Sequence, residues 1–204
     1  MIQKFGATTD DTVMLFKDDL QSMISDLRSH PSVVMWTIFN EGDCVKDPLF
    51  DPAALVEWVN QLDATRLVDT NSGGPANALF VGDTNDLHSY PYPTKVFDNH
   101  PYQMNSFGEY GGIGAFIDGK AWVTGACHTY LKVDTPDDEA AVFLNMSQTL
   151  VQRKRNDGVS IAVYTQITDV ELECDGFLNY DRTNKFSPAT TAQIAAANKA
   201  LIGA

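Results

Sequence analysis

Two glutamates, Glu41 and Glu109, have the type and the surroundings that chemistry requires. Each follows an apolar segment and precedes glycine, directly in Glu41-Gly42 and one residue later in Glu109-Tyr110-Gly111. Glycine at such positions permits the close approach of a substrate or a neighbouring backbone. Two carboxyl groups facing one bond can hydrolyse a glycosidic linkage, because one protonates the leaving oxygen while the other attacks the anomeric carbon or activates water. Two such glutamates on one rigid face are what glycoside hydrolysis requires, with retention or inversion set by the distance between the two groups.

Other polar residues follow predicted strands in the same way. These strand-end residues are Asn40, Asn71, His88, Tyr90, and Gln166 with Asp169. The carboxyl edge of a parallel α/β sheet is where ligands bind, and in a barrel it is the catalytic face. The competing interpretation is structural, since an isolated strand-end glutamate is commonly a cap or a salt-bridge partner and a lone histidine is commonly hydrogen-bonded in a core.

Hydrophobic periodicity predicts the elements that position these residues. Helices are predicted over 10–29, 51–63, 137–155 and 189–201, and strands over 32–39, 66–71, 86–90, 105–109 and 159–165. The apolar run 32–39 predicts a strand buried on both faces. Residues 113–136 show no clear period and are predicted to form a loop, a candidate lid. The alternation implies an α/β fold with a parallel sheet and right-handed crossovers, in a single domain over 1–204.

Composition and charge exclude several partners. The 204 residues are 44% hydrophobic, which is enough for a core, and 14 Lys+Arg against 27 Asp+Glu give a net charge of −13. Nucleic-acid affinity comes largely from cations on phosphates, so we expect no nucleic-acid partner, and the same field disfavours anionic membrane surfaces. No apolar run reaches the ~18 residues of a membrane span. A neutral ligand is compatible with this charge.

The cysteines indicate neither a disulfide framework nor a zinc site. Cys44, Cys127 and Cys174 are an odd number without C-x-x-C spacing, so buried free thiols are favoured, although any one pair could bridge. No group of residues has convincing metal-ligand spacing, and hydrolysis by two carboxyl groups requires no organic cofactor. A nucleotide-binding domain is disfavoured because no glycine-rich phosphate motif is present.

Residues 30–42, HPSVVMWTIFNEG, resemble the acid/base segment of the glycoside hydrolase family 2 catalytic domain, the clan of β-galactosidases, β-glucuronidases and β-mannosidases. Residues 107–112 resemble its nucleophile segment, and 163–182 resemble the eighth strand and its exit. Further similar blocks lie between them, in the family's order, at 63–68 and 86–91.

The resemblance implies an incomplete (β/α)8 TIM barrel, strands four to eight with their helices. Residues 1–204 would be the C-terminal part of the catalytic barrel, from helix three to helix eight, without a second domain. A full barrel needs about 250 residues. The N-terminal barrel half and the β-sandwich modules usual in the family would then be missing, so we expect the 204 residues alone to be poorly stable and inactive.

The resemblance also implies residue roles. Glu41 would be the general acid/base and Glu109 the nucleophile of a retaining double displacement, with Asn40 binding the sugar's 2-hydroxyl. Tyr90 matches a tyrosine close to the nucleophile, and His88 would line the same subsite.

The expected partner is a β-linked glycoside, hydrolysed by an exo-β-glycosidase. Gln166 is a further expected substrate-binding residue, but it stands where several better-known members carry tryptophan, which argues against a β-galactosidase. The alternative is a non-catalytic carbohydrate-binding or scaffold remnant of such a barrel. Retention of both glutamates favours the enzyme. The sequence assigns neither an oligomeric state nor a cellular compartment.

Overall fold

The computed structural model describes residues 8–41, 45, 47–73, 80–98 and 100–203. Helices and strands alternate through most of this part of the chain. The helices are α1 (Asp10–Leu27), α2 (Pro52–Leu62), α3 (Pro136–Asp157) and α4 (Pro188–Gly203). The strands are β1 (Met35–Asn40), β2 (Leu67–Ser72), β3 (Thr84–Ser89), β4 (Met104–Gly111), β5 (Ile113–Ala115), β6 (Leu131–Val133) and β7 (Val159–Thr165). Every helix and strand predicted from periodicity is present within a few residues of its expected bounds.

Local signals determine where the helices begin and end. Helix α2 starts where the Asp51 side chain accepts from the backbone N–H of Ala54 at 3.1 Å, with Pro52 in the first turn. Helix α3 starts in the same way at Thr135 and ends at Gly158, whose φ of 67° is left-handed. Such signals need no tertiary contact, so they can be recognised in the sequence.

The chain divides into two compact units. The first comprises Met1–Leu87 and Phe97–Ser106, and the second comprises His88–Val96 and Phe107–Ala204. Two sheet segments are parallel pairs, β1 with β2 and β5 with β6. Strands β3, β4 and β7 form a three-stranded sheet in that order.

The first unit packs α1 and α2 on the β1–β2 pair. Its core contains Ile24, Val59 and Val68, all at most 1% exposed. Strand β1 pairs with β2 in a register that places Asn40 beside Ser72, at the carboxyl end of both strands. The prediction that the first strand is buried on both faces is wrong at its centre, since Thr37 is exposed.

Arg66 ties the connection between α1 and β1 to the start of β2. Its guanidinium donates to the backbone carbonyls of Arg28, His30 and Val33 at 2.6, 3.0 and 2.8 Å. It also forms an ion pair of 2.7 Å with Asp63. One planar cation thereby donates to three backbone carbonyls of the same connection.

The core of the second unit is aromatic. The rings of Tyr164 and Phe177 are stacked with centroids 4.5 Å apart, and Phe143 meets both of them edge-on at 5.1 and 5.0 Å. Offset and edge-on arrangements of this kind are the favourable ones for aromatic pairs. Helix α3 is fixed to the sheet through this cluster.

Residues 113–136 are not all loop, which corrects the prediction for this segment. They contain β5 and β6, which pair in parallel with Ile113 beside Leu131.

Cys127 and Cys174 form a disulfide with Cα atoms 5.4 Å apart, so the expectation of free thiols is wrong for these two. Cys44 lies outside the described residues. No helix among the described residues is both long and apolar enough to cross a membrane.

Candidate active site

In the first unit, Asn40 is the last residue of β1 and Glu41 directly follows it. Glu41 has a left-handed backbone with φ 52°, and its N–H donates to the carbonyl of Ser72 at 2.9 Å. Such a conformation is uncommon for a residue other than glycine and is concentrated at functional sites. The side chain of Glu41 is exposed and that of Asn40 is half-buried. Gly42, predicted to allow close approach here, lies outside the described residues.

In the second unit, Glu109 is held by two side chains from the end of β3. The Tyr90 phenol donates a hydrogen bond of 2.6 Å to Oε2 of Glu109. Nδ1 of His88 lies 3.2 Å from the same oxygen. His88 is buried, whereas 29% of the Glu109 side chain is exposed. The carboxylate is therefore fixed on one side and open on another, as a group that meets a substrate must be.

Tyr90 is a permanent donor in this arrangement. Its pKa is raised well above the ordinary value of 10.0, first by burial and then by its hydrogen bond to Glu109. The phenol therefore keeps its proton throughout the working pH range. Oγ1 of Thr165, at the end of β7, lies 2.8 Å from the phenol oxygen and can donate to it.

The ring of Tyr130 is stacked on one face of the Tyr90 ring. The two rings are parallel within 4° and their centroids are 3.7 Å apart. Gly112, with φ 62°, permits this contact, because a Cβ atom there would stand 2.5 Å from the Tyr130 ring. The sequence predicted the close approach of a substrate or a backbone at the glycines after Glu109, and at Gly112 the group that approaches is the Tyr130 side chain.

Gln166 forms hydrogen bonds with two carboxylates that follow β7 in the chain. Its side-chain amide donates to Oδ1 of Asp175 at 2.8 Å and to Oε2 of Glu173 at 3.1 Å. Burial raises the pKa of Asp175 to about 6, while the Gln166 hydrogen bond opposes that rise. A role for Gln166 in substrate binding stays a prediction.

Asp169 has a structural role. It forms an ion pair of 2.9 Å with the fully buried Lys185, and it accepts from the N–H of Gly176 at 2.9 Å. The fully buried Glu139 lies 3.8 Å from the same ammonium group and accepts from the N–H of Ala115. These contacts tie the segment after β7 to β5 and α3.

Asn71 is the remaining strand-end residue. It is 1% exposed in β2, and neither polar atom of its side chain finds a hydrogen-bond partner among the described residues. Its sequence position predicted a place near the site, and the structure adds that it is buried.

Two contacts of Tyr90 were not predicted from the sequence, those with Thr165 and with Tyr130. Thr165 is the last residue of a correctly predicted strand, so its position was available but its partner was not. Tyr130 lies in a segment without periodicity, where only the packed structure shows that it meets Tyr90.

Strands followed by helices, with carboxylates, an imidazole and a phenol at the strand ends, define an α/β fold of the TIM-barrel type. Residues 3–106 match the family model described as Glycosyl hydrolases family 2, TIM barrel domain. The match spans half of the chain, so the chain belongs to glycosyl hydrolase family 2. It includes Asn40, Glu41, His88 and Tyr90, and it ends before Glu109.

Similarity to individual proteins agrees with this membership. A β-galactosidase from Oenococcus oeni is 33% identical over 73 residues, which are 35% of this chain and 7% of that protein. The β-glucuronidase of an uncultured Clostridium sp. matches 96% of this chain and 38% of its own, with a TM-score of 0.63 and 16% identity. A Bifidobacterium dentium β-glucuronidase, complexed with coumarin-3-O-glucuronide, matches 93% of this chain and 34% of its own, with a TM-score of 0.62 and 16% identity.

At such identities the two solved structures show the fold alone. The chain spans about a third of each and less than a tenth of the curated β-galactosidase. The prediction of a partial TIM barrel is confirmed.

Proposed function

We propose that the protein carrying this chain hydrolyses β-linked glycosides as a retaining exo-β-glycosidase. The observation that carries the proposal is the setting of Glu109, whose Oε2 accepts from Tyr90 at 2.6 Å and lies 3.2 Å from His88. Family membership supports the reaction class. Glu41 directly follows β1 and Glu109 lies two residues before the end of β4, and these positions support their roles.

Glu109 is the nucleophile in this proposal. It attacks the anomeric carbon and forms a covalent glycosyl intermediate as the bond to the leaving oxygen breaks. Tyr90 and His88 orient the attacking carboxylate, so that little of the binding energy is used to arrange it. When water later cleaves the intermediate, the carboxylate is released in the same orientation.

Glu41 is the general acid/base. It protonates the leaving oxygen in the first step and accepts a proton from the attacking water in the second. Its exposure after β1 suits exchange of the leaving group for water. Asn40 binds the sugar 2-hydroxyl, a contact that strengthens as positive charge develops on the ring. Gln166 contributes to the sugar site through the two carboxylates that it holds.

The chain of 204 residues alone is inactive in this proposal. One observation on the described residues supports this: 49% of Val163, an apolar residue of β7, is exposed. Apolar strand residues in an intact barrel are covered. Assay of the chain beside the full-length protein tests the statement, and comparable turnover by the two would overturn it.

The function is tested with Glu41→Gln and Glu109→Gln in the full-length protein, assayed on aryl β-glycosides. Each change should lower kcat by about 10² to 10⁴-fold or more, whereas Glu57→Gln on the exposed face of α2 should leave it unchanged. Proton NMR of the first-formed sugar should show the β anomer, since two displacements retain configuration. An α product would refute the retaining mechanism.

A non-catalytic carbohydrate-binding remnant is the alternative. It predicts no turnover by the unaltered protein and an unchanged affinity for glycosides in both glutamine variants. Calorimetric titration with methyl β-glycosides separates it from an enzyme that has been inactivated.

A further inference from the structure

A cavity of about 260 Å³ in the second unit lies beside the tyrosine pair. It is lined by His128, Thr129 and Tyr130 from one segment and by Glu173 and Asp175 from another. This volume is below the ~300 Å³ at which pockets for drug-sized ligands begin, so it suits a single sugar residue.

The walls of the cavity are fixed to each other. His128 donates its backbone N–H to Leu172 at 2.8 Å, and its carbonyl accepts from the N–H of Cys174 at 3.3 Å. The disulfide between Cys127 and Cys174 joins the same two segments. The cavity is therefore formed before any ligand arrives.

Tyr130 connects the cavity to the candidate nucleophile. Its ring lines the cavity and stacks on Tyr90, which donates to Glu109. The wall that Tyr130 forms is thus in direct contact with Tyr90, the residue that donates to Glu109. Exposed tyrosine faces are also favourable surfaces for the apolar side of a sugar ring.

The polar wall is acidic. Glu173 and Asp175 both accept from the Gln166 amide, which holds their carboxylates next to each other. None of the five described residues that line the cavity is Lys or Arg. The nearby Lys185 is buried and is paired with Asp169. Such a wall accepts hydrogen bonds from hydroxyl groups and repels a ligand carboxylate.

We propose that this cavity is a sugar subsite that selects neutral glycosides and rejects uronates through Glu173 and Asp175. The inference rests on the proposed glycosidase function and adds its substrate class. It separates this chain from the β-glucuronidases whose fold it shares.

The test uses the full-length protein and four aryl glycosides with one common aglycone: β-galactoside, β-glucoside, β-mannoside and β-glucuronide. The unaltered protein should favour at least one neutral glycoside over the glucuronide by 10-fold or more in kcat/KM. Glu173→Gln and Asp175→Asn should each reduce that ratio by about 10-fold, because each removes one repulsive charge. Glu171→Gln, an exposed neighbour outside the cavity lining, should leave the ratio unchanged.

Equal or greater turnover of the glucuronide by the unaltered protein would overturn the inference, and so would a ratio insensitive to both cavity variants. If the protein hydrolyses none of the four aryl glycosides, calorimetric titration with methyl β-galactoside, β-glucoside, β-mannoside and β-glucuronide tests the subsite by binding alone. Selective binding of a neutral glycoside that weakens in Glu173→Gln would then support the subsite although the proposed function had failed. Binding of no glycoside, or a preference for the uronide, would reject the subsite.

Discussion

The Tyr90 phenol donates to Oε2 of Glu109 at 2.6 Å while its ring is stacked on Tyr130. The same residue therefore contacts the candidate nucleophile through its oxygen and a cavity wall through its face. Burial raises the pKa of Tyr90 above its ordinary value, so the phenol keeps its proton and is the donor in this hydrogen bond.

Tyr90→Phe should lower kcat/KM for aryl β-glycosides by about 10² because one oriented donor to the reacting carboxylate is lost. The fold should be retained, since the ring and its stacking on Tyr130 remain. Steady-state kinetics with thermal unfolding by circular dichroism checks both parts. Tyr102→Phe, at a tyrosine that is 95% exposed, is the matched control. Full activity in Tyr90→Phe would show that the hydrogen bond is not used.

Arg66→Lys should lower the free energy of unfolding by about 2–3 kcal/mol, since hydrogen bonds from charged donors contribute about 1.5–3 kcal/mol each. A lysine cannot reach the carbonyls of Arg28, His30 and Val33 at once, as the guanidinium does. Urea unfolding of the full-length protein measures the loss. Arg155→Lys, at an exposed arginine, controls for the change of cation type. An equal effect at both positions would contradict the contacts described for Arg66.

Replacing Cys127 and Cys174 together by serine should lower the free energy of unfolding by about 2–4 kcal/mol, because the disulfide closes a loop of 47 residues. Dithiothreitol should destabilise the unaltered protein by a similar amount and have little further effect on the double variant. Urea unfolding with and without reductant measures this difference. Equal sensitivity of the two proteins to reductant would show that the bond is absent in solution.

Glu139→Gln should make stability less dependent on pH. Burial raises the pKa of Glu139 from 4.5 to about 8, although the charge of Lys185 opposes the rise. Between these two pH values the folded state binds this proton more tightly than the unfolded chain, so this group's contribution to stability falls as pH rises. A glutamine has no proton to lose.

The difference in unfolding free energy between Glu139→Gln and the unaltered protein should therefore grow from pH 5 to pH 8, to about 2 kcal/mol in favour of the variant. Lys185 keeps its closer partner Asp169 at 2.9 Å in the variant, so little pairing is lost. Urea unfolding at four pH values gives the curve, with Glu57→Gln as the exposed control. Parallel curves for the two proteins would mean that Glu139 does not titrate in this range.

Features encoded over a few residues were predictable. Strand β7 was predicted with its observed bounds, since Gly158 and a β-branched run define it locally. The starts of α2 and α3 follow from single caps at Asp51 and Thr135. The glutamates were found because each follows an apolar segment, where the sequence alone shows the change from apolar to polar. The prediction ended the fourth strand at Glu109, whereas β4 continues to Gly111.

Features that depend on distant partners were not predictable. Strands β5 and β6 have three residues each, which is too short for a period, and they form only by pairing with each other. The Cys127–Cys174 bond joins residues 47 apart in the chain. Nothing near Tyr130 specifies that Tyr90 will be its partner. Such contacts are set by tertiary packing, which a local pattern does not contain.

The bond between Cys127 and Cys174 also bears on how tightly the cavity can bind. The segments carrying Tyr130 and Glu173 lose their conformational entropy when the chain folds, so a sugar entering between them need not order either one. Affinity that would otherwise be lost to that ordering is retained. Cleaving the bond should therefore weaken binding through a larger entropic penalty while the chemical contacts to the sugar stay the same.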